Sequence, residues 1–157
     1  RPFRITGLAG LPMLRVDNAM LPQAINNLIA NALRYTPDNT PITIGVWIAD
    51  TSLVVKVADE GPGLAPGETD KVFQRFYRGR TAHFADAASI RSGSSVSPPR
   101  TGMGLGLTIC EGIVKAHGGR IWVEANHPRG VAFLFSLPIE YPQPSLPAEV
   151  TAKDSQA

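Results

Sequence analysis

Two neighbouring segments with alternating apolar residues constrain the fold of this chain more than any other feature. The segments ITIGVWI (42–48) and SLVVKVA (52–58) both place an apolar side chain at every second position. That period of two is typical of a half-buried β-strand, and the short connection from Ala49 to Ser52 predicts a hairpin. Each strand should therefore bury one face, and helices are the expected cover.

Helical patterns lie on both sides of this hairpin. The first is predicted to begin at Asp17 or Asn18 and to end at Tyr35. Its apolar face is made of small and branched side chains: Leu21, Ala24, Ile25, Leu28 and Ala32. The second helix is predicted from about Leu105 to His117, where two glycines supply a stop. Its apolar stripe is predicted from the spacing of Leu105, Ile109, Ile113 and Ala116, with Cys110 and Val114 beside it.

The remaining segments complete the predicted order. RIWVEA (120–125) and VAFLFSLP (131–138) read as a last pair of strands joined by NHPRG. Residues 1–16 are predicted to be irregular or partly extended, and residues 69–77 to hold a short helix. The order of helix, two strands, irregular segment, helix and two strands predicts an α+β fold. It is a two-layer sandwich in which helices cover one face of a mixed or antiparallel sheet.

Length and composition fit one globular domain. The chain has 157 residues, of which 43% are hydrophobic and 18% are charged, and it contains no run of about 18 apolar residues that could span a bilayer. The domain is expected over residues 1–138. A flexible surface segment is expected at about 78–104, where Ser, Pro, Gly and Arg dominate, and a loose tail at 139–157.

Charge and cysteine content narrow the class of protein further. The net charge is +2, and because the basic residues are scattered, the sequence does not indicate nucleic-acid binding. The single cysteine, Cys110, excludes an internal disulfide and fits a reducing compartment. The chain shows no signal peptide pattern and opens at Arg1 without Met, which predicts a fragment of a longer protein.

The first helix carries an unusual polar stripe. Asn27, Asn31 and Arg34 fall on one helical face, because residues three and four apart are neighbours there. Such a stripe can be a solvated surface, but solvated faces usually carry Lys and Glu, since Asn is a poor helix former. Amide oxygens are ligands suited to Mg²⁺, and a guanidinium complements phosphate oxygens.

Two glycine-rich segments are either ordinary turns or parts of a ligand site. DEGPG (59–63) follows a strand, and can be an ordinary turn or a carboxylate that accepts a hydrogen bond from a base amine. TGMGLGLTIC (101–110) lacks the Lys of a Walker A loop and the third glycine of a dinucleotide fingerprint, since position 107 is Leu. The remaining interpretation is a glycine hinge whose backbone amides, at a helix N-terminus, can bind an anion.

These motifs, in this order, resemble the catalytic and ATP-binding domain of sensor histidine kinases. That domain belongs to the GHKL superfamily and has the Bergerat fold. The resemblance covers about residues 14–138 and rests on NNLIANALRYTP, DEGPG, FQRFYRG, GMGLGL and the terminal HGG strand pair. The sequences of ICEGIVKAHGG and PRGVAFLFSLP are most similar to those of KdpD-type, potassium-responsive sensor kinases. The segment at about 78–104 corresponds to the flexible ATP lid of the family and is longer than usual for that type.

The resemblance implies a role for each matching residue. Asn31 is the Mg²⁺ ligand and Asn27 its polar partner near the phosphates. Arg34 lies at a phosphate and Tyr35 lies against the nucleotide. Asp59 accepts a hydrogen bond from the adenine amine, while Gly61 and Gly63 shape the pocket. The other matching positions belong to the lid and its borders: Phe73, Phe76, Arg78, Gly102, Met103, Gly104, Leu105, Gly106 and Leu107.

The resemblance also implies a reaction and partners. ATP and Mg²⁺ are the expected cofactors, and the γ-phosphate is expected to pass to a histidine on a dimerisation helix upstream of Arg1. A response regulator should act downstream, and the domain should be cytoplasmic in a membrane-bound sensor. Hydrolytic relatives have a basic Glu where this chain has Asn27, and an amide cannot take up a proton. A nucleotide-sensing module, a gyrase- or chaperone-type ATPase and a serine-directed kinase remain alternatives.

Overall fold

The computed structural model describes residues 2–7, 9–77 and 104–139. Within this part, five strands form one sheet: β1 (Phe3–Thr6), β2 (Ile42–Ala49), β3 (Ser52–Asp59), β4 (Arg120–Ala125) and β5 (Val131–Pro138). Two helices accompany them, α1 (Met20–Tyr35) and α2 (Gly106–Ala116). Most of the predicted lid and tail lies outside the described residues, so those predictions stay predictions.

The sheet has the order β1-β2-β3-β5-β4. Strands β2 and β3 form the predicted hairpin, with Ala49 paired to Ser52 and Ile42 to Asp59. Strand β5 pairs antiparallel with both β3 and β4, whereas β1 pairs parallel with β2. The sheet is therefore mixed, which confirms the predicted α+β sandwich.

The main core lies between the helices and one face of the sheet. The helices contribute small and branched side chains, and the strands contribute aromatic and aliphatic ones. Its members include Ala24, Leu28, Ala32, Cys110, Val114, Val57, Phe133 and Phe135. The buried side of α1 agrees with the predicted apolar face. Cys110 is fully buried, and burial raises the pKa of its thiol to about 12, so it is a packing residue rather than a reactive one.

Strand β3 departs from the expectation that each strand buries one face. Its burial is nearly continuous, because side chains on both sides are buried. A second small apolar cluster forms on the sheet face opposite the helices, from Val54, Ala58, Ala132 and Leu134. Ala49 and Trp122 pack against this cluster, while the helices cover the other face, so side chains of β3 are buried on both faces of the sheet.

Residues 3–6, within the lead-in predicted to be irregular or partly extended, are extended and form the edge strand β1. Two other local predictions were wrong. Residues 69–77 contain turns rather than a helix. In α2 the buried residues are Cys110, Ile113 and Val114, while Ile109 is 42% exposed. The buried side of α2 is thus rotated from the predicted stripe.

The helix ends agree with the predictions to within a few residues. Helix α1 begins at Met20, and the carboxylate of Asp17 accepts hydrogen bonds of 2.8 Å from the amides of Ala19 and Met20. These amides hold the pKa of Asp17 below its ordinary value. Helix α2 ends at Ala116, and Gly118 adopts φ +71°, which is the left-handed stop expected of a glycine there.

Candidate functional site

The polar face of α1 forms one wall of the candidate site. Asn27, Asn31, Arg34 and Tyr35 are all half-buried, in contrast to the exposed Asn26. With a rise of about 1.5 Å per residue, Asn27 and Arg34 lie about 10 Å apart along the helix. The wall therefore has two ends, and different elements meet it at each end.

Asp59 lies at the end near Tyr35. It is the last residue of β3 and only 2% exposed. Its Oδ1 accepts a 2.8 Å hydrogen bond from the amide of Gly61. Burial raises the pKa of this carboxyl, while the amides of Gly61 and Val131 oppose the rise. A buried carboxylate with few donors keeps free capacity to accept hydrogen bonds from a ligand.

The glycines after Asp59 allow close backbone approach. A Cβ at Gly61 would lie 2.9 Å from both Asp59 Oδ1 and the Tyr35 carbonyl oxygen. Gly63 has φ +77°, and a Cβ there would lie 3.3 Å from the carbonyl oxygen of Gly130. Side chains larger than hydrogen would push the loop away from α1. The structure thus brings together Tyr35, Asp59 and Gly61, and their roles toward a nucleotide stay predictions.

At the opposite end, Asn27 meets the start of α2. Its Nδ2 donates a 3.2 Å hydrogen bond to the carbonyl oxygen of Gly106. Among the described residues no side chain caps the N-terminus of α2, where Leu105 is the N-cap and the first turn has no acidic residue. Free amides at such an end attract anions. Gly106 is exposed, while Leu107 packs against the core.

The residues that border 78–103 meet each other. The amide of Phe76 donates a 3.1 Å hydrogen bond to the carbonyl oxygen of Gly104. Gly104 has φ +68°, and a Cβ there would lie 2.9 Å from Phe76 Cα. Phe73 packs edge-on against Phe133 with ring centroids 6.2 Å apart. Phe76, by contrast, is 70% exposed.

Several predicted site residues are not tested by this geometry. Arg78, Gly102 and Met103 lie outside the described residues. Asn31 and Arg34 share the α1 wall, yet within the described part neither side chain forms a hydrogen bond to Asp59 or to Gly106. Their roles stay predictions.

The sequence reasoning missed two groups of residues around the site. Asn126 and Gly130, in the turn between β4 and β5, both contact Asp59. Glu68 is 3% exposed and accepts hydrogen bonds from the Ala65 amide and the Tyr77 hydroxyl. The only sequence signal was the Asn and Gly content of NHPRG, which is ordinary for a turn.

The described part of the chain contains no group of three or more His, Cys, Asp or Glu side chains that could hold a metal ion. No helix among the described residues is long and apolar enough to cross a membrane.

Comparison with known proteins identifies similar chains. Residues 16–141 match the family described as histidine kinase-, DNA gyrase B-, and HSP90-like ATPase. The sensor protein KdpD of Clostridium acetobutylicum is 34% identical over 128 residues, which is 82% of this chain and 13% of that protein. This chain therefore spans a small part of that relative.

Solved structures agree with this match. A mycobacterial sensor histidine kinase, MprB, superposes with a TM-score of 0.67 at 28% identity, covering 87% of this chain and 82% of the other. Full-length ShkA in complex with AMPPNP gives a TM-score of 0.67 at 25% identity, covering 87% of this chain and 25% of that one.

Proposed function

The chain belongs to the histidine kinase-, DNA gyrase B- and HSP90-like ATPase family, as a catalytic domain of the sensor histidine kinase kind. We propose that it binds ATP with Mg²⁺ and transfers the γ-phosphate to a histidine on a dimerisation helix outside these 157 residues. The observation that carries the proposal is the buried Asp59 carboxylate, framed by glycines beside the polar wall of α1. The structure of ShkA with AMPPNP, an ATP analogue, supports an adenine nucleotide as the ligand.

Asp59 is proposed to accept a hydrogen bond from the exocyclic amine of adenine. The carboxylate already accepts the Gly61 amide, and its remaining lone pairs suit the amine. Because the group is buried, a hydrogen bond to its charged form is stronger than one in water. Gly61 and Gly63 let the base approach the backbone, and Tyr35 lies beside them.

The phosphates are proposed to lie at the Asn27 end of the wall. The uncapped start of α2 offers backbone amides and the positive end of the helix dipole. Gly106 leaves room for an anion there, and Asn27 holds Gly106 in place. Arg34 supplies a charge that can pair with a phosphate oxygen, and Arg78, Gly102 and Met103 are proposed to add contacts from the lid.

Asn31 is proposed to hold the metal. Its side chain is half-buried on the same wall, and within the described residues it forms no hydrogen bond, so its amide oxygen fits a role as a hard neutral ligand. When bound, Mg²⁺ neutralises charge on the transferring phosphates.

Asn27 favours transfer over hydrolysis. The amide cannot act as a general base, and its Nδ2 is engaged with the Gly106 carbonyl. Activation of water at this position is therefore not expected, whereas attack by a partner histidine does not need it. The chain's own contribution is to position the nucleotide and neutralise charge.

Transfer to a separate acceptor tests the proposal. The 157-residue chain, ATP–Mg²⁺ and a separately produced acceptor helix pair should yield acid-labile phosphate on the acceptor. Acid-stable phosphate would indicate a serine-directed kinase, and rapid ATP hydrolysis without transfer would indicate a gyrase- or chaperone-type ATPase. Tight nucleotide binding without either reaction would indicate a sensing module.

Two substitutions test the assignment of the site. Asp59→Asn should weaken ATP binding about 10-fold or more, which corresponds to about 1.4 kcal/mol or more. Asn31→Ala should remove most of the Mg²⁺-dependent part of binding. Asn26→Ala, on the exposed side of α1, is the matched control. If both variants bind ATP–Mg²⁺ like the parent, the site assignment is wrong.

The cellular setting follows from the same family. We propose that a response regulator receives the phosphate and that the domain faces the cytoplasm in a membrane-bound sensor. A potassium-responsive role of the KdpD kind is proposed from the resemblance to that relative, of which this chain covers 13%.

A further inference from the structure

The turn between β4 and β5 touches Asp59 from a position 67 residues away in sequence. We propose that Asn126 and Gly130 of this turn are positioning residues that set the place of Asp59 and thereby the selectivity for adenine. The inference rests on the proposed role of Asp59 and adds two residues to which the sequence motifs assign no role.

Asn126 holds the backbone of Asp59 directly. Its Nδ2 donates a 2.8 Å hydrogen bond to the carbonyl oxygen of Asp59, and the bond is partly buried. The amide of Asn126 donates a 3.0 Å hydrogen bond to the carbonyl oxygen of Gly130, which closes the turn. The side chain that fixes Asp59 is therefore fixed itself.

Gly130 allows the turn to lie directly on the end of β3. It has φ +102°, and a Cβ there would lie 2.0 Å from the Asp59 carbonyl oxygen and 2.8 Å from Glu60 Cα. Only glycine permits that approach. Gly63 packs on the other side of this contact, since its own Cβ would lie 3.3 Å from the Gly130 carbonyl oxygen.

The turn also reaches the carboxyl group. The backbone amide of Val131, the residue after Gly130, acts to lower the pKa of the Asp59 carboxyl, against the rise due to burial. The backbone of Asp59 is thus held by Asn126 and its carboxylate by the amide of Gly61. Hydrogen bonds weaken steeply with distance and angle, so a small displacement of Asp59 would reduce the advantage of a 6-amino base over a 6-oxo base.

A purely structural role of Asn126 makes a different prediction. Loss of a turn contact would lower the stability of the protein and would lower the affinity for every nucleotide by the same factor. A positioning role lowers the affinity for ATP while leaving the affinity for inosine triphosphate, which has a 6-oxo group, nearly unchanged. The ratio of the two affinities therefore separates the two roles.

The test is a double-mutant cycle on the 157-residue chain with ATP and inosine triphosphate. Asn126→Ala should lower the ATP affinity about 3- to 10-fold and lower the ATP-to-inosine-triphosphate ratio by a similar factor. In the Asp59→Asn background, Asn126→Ala should not change the ratio further, because the acceptor it positions is gone. Arg129→Ala, exposed in the same turn, should leave the ratio unchanged.

The outcomes distinguish this inference from the proposed function. If Asp59→Asn alone leaves ATP binding intact, the base assignment fails and the inference fails with it. If Asp59→Asn weakens ATP binding but Asn126→Ala leaves the ratio at the parental value, the site stands and the positioning role is wrong. Should Asn126→Ala not fold, Asn126→Ser, which keeps a hydroxyl donor and suits a turn, must lower the ratio in the same direction.

Discussion

The side-chain amide of Asn27 donates a 3.2 Å hydrogen bond to the carbonyl oxygen of Gly106, 79 residues further along the chain. This bond joins the middle of α1 to the first residue of α2. It brings the polar wall against an uncapped helix N-terminus, which is the arrangement that an anionic ligand needs. A basic Glu at position 27 could not donate this hydrogen bond.

Loss of the Asn27 donor should weaken the contact between the helices. Asn27→Ala should lower the free energy of unfolding by about 1 kcal/mol, the usual net value of one hydrogen bond. Denaturant unfolding measures the change, with the neighbouring Asn26→Ala as control. Equal stabilities of the two variants would show that the bond contributes nothing to the fold.

Asp59 should make the stability of the nucleotide-free protein depend on pH. Burial raises its pKa, so its stabilising contribution is complete below the unfolded pKa of about 3.9 and is lost as the pH rises through the raised value. Asp59→Asn removes this titration. The stability of the variant relative to the parent, measured by thermal unfolding, should therefore increase as the pH rises from the unfolded pKa of about 3.9 through the raised pKa of Asp59. A pH-independent difference would contradict this.

Two glycines of the α2 region should respond to alanine with opposite signs. Gly104→Ala places a side chain at φ +68° and 2.9 Å from Phe76 Cα, and should cost about 1–3 kcal/mol. Gly112 lies within α2 with no atom within 4 Å of an added Cβ. Gly112→Ala should therefore stabilise by about 0.5–1 kcal/mol. Equal effects would show that the Gly104 contact is not as tight as described.

Glu68 and Tyr77 should be energetically coupled. The Glu68 carboxylate accepts hydrogen bonds of 2.9 Å from the Ala65 amide and 3.1 Å from the Tyr77 hydroxyl. Tyr77→Phe should cost about 1 kcal/mol, and Glu68→Ala more, because it leaves buried donors unsatisfied. The double variant should cost less than the sum of the two, as measured by denaturant unfolding. Additive costs would contradict the coupling.

Phe76 and Ile109 should affect the partner rather than the nucleotide. They are 70% and 42% exposed, and exposed apolar side chains near a site suit a protein contact. Phe76→Ala and Ile109→Ser should each reduce phosphoryl transfer to the acceptor helix several-fold while leaving ATP affinity unchanged. Transfer rates at saturating ATP measure this. A loss of ATP affinity with normal transfer would place these residues in the nucleotide site instead.

Much of the fold was predictable because its signals are local. The predicted strand RIWVEA coincides with β4 and VAFLFSLP with β5, since the apolar pattern and the flanking turns mark their ends. Helix α1 was found from its period, although its start at Met20 lies two or three residues after the predicted start. Strand β1 was predicted only as part of a partly extended lead-in, because all four of its side chains are exposed and only the pairing with β2 defines it.

The candidate site divides in the same way. Asn27, Asn31 and Arg34 share a helix, so their spacing alone placed them on one face. The glycines that follow Asp59 indicated a loop whose backbone can be approached closely. The contacts of Asn126 and Gly130 with Asp59 could not be inferred, because a turn motif carries no information about what it packs against.

The sequence by itself therefore determined the types and limits of most elements and the polar face of α1, because hydrophobic periodicity is a property of consecutive residues. Only the tertiary structure decided which side of α2 is buried, that β3 is covered on both faces, and that Asn126 holds Asp59. Each of these depends on which distant segments become neighbours, and burial and hydrogen bonding exist only once they have met.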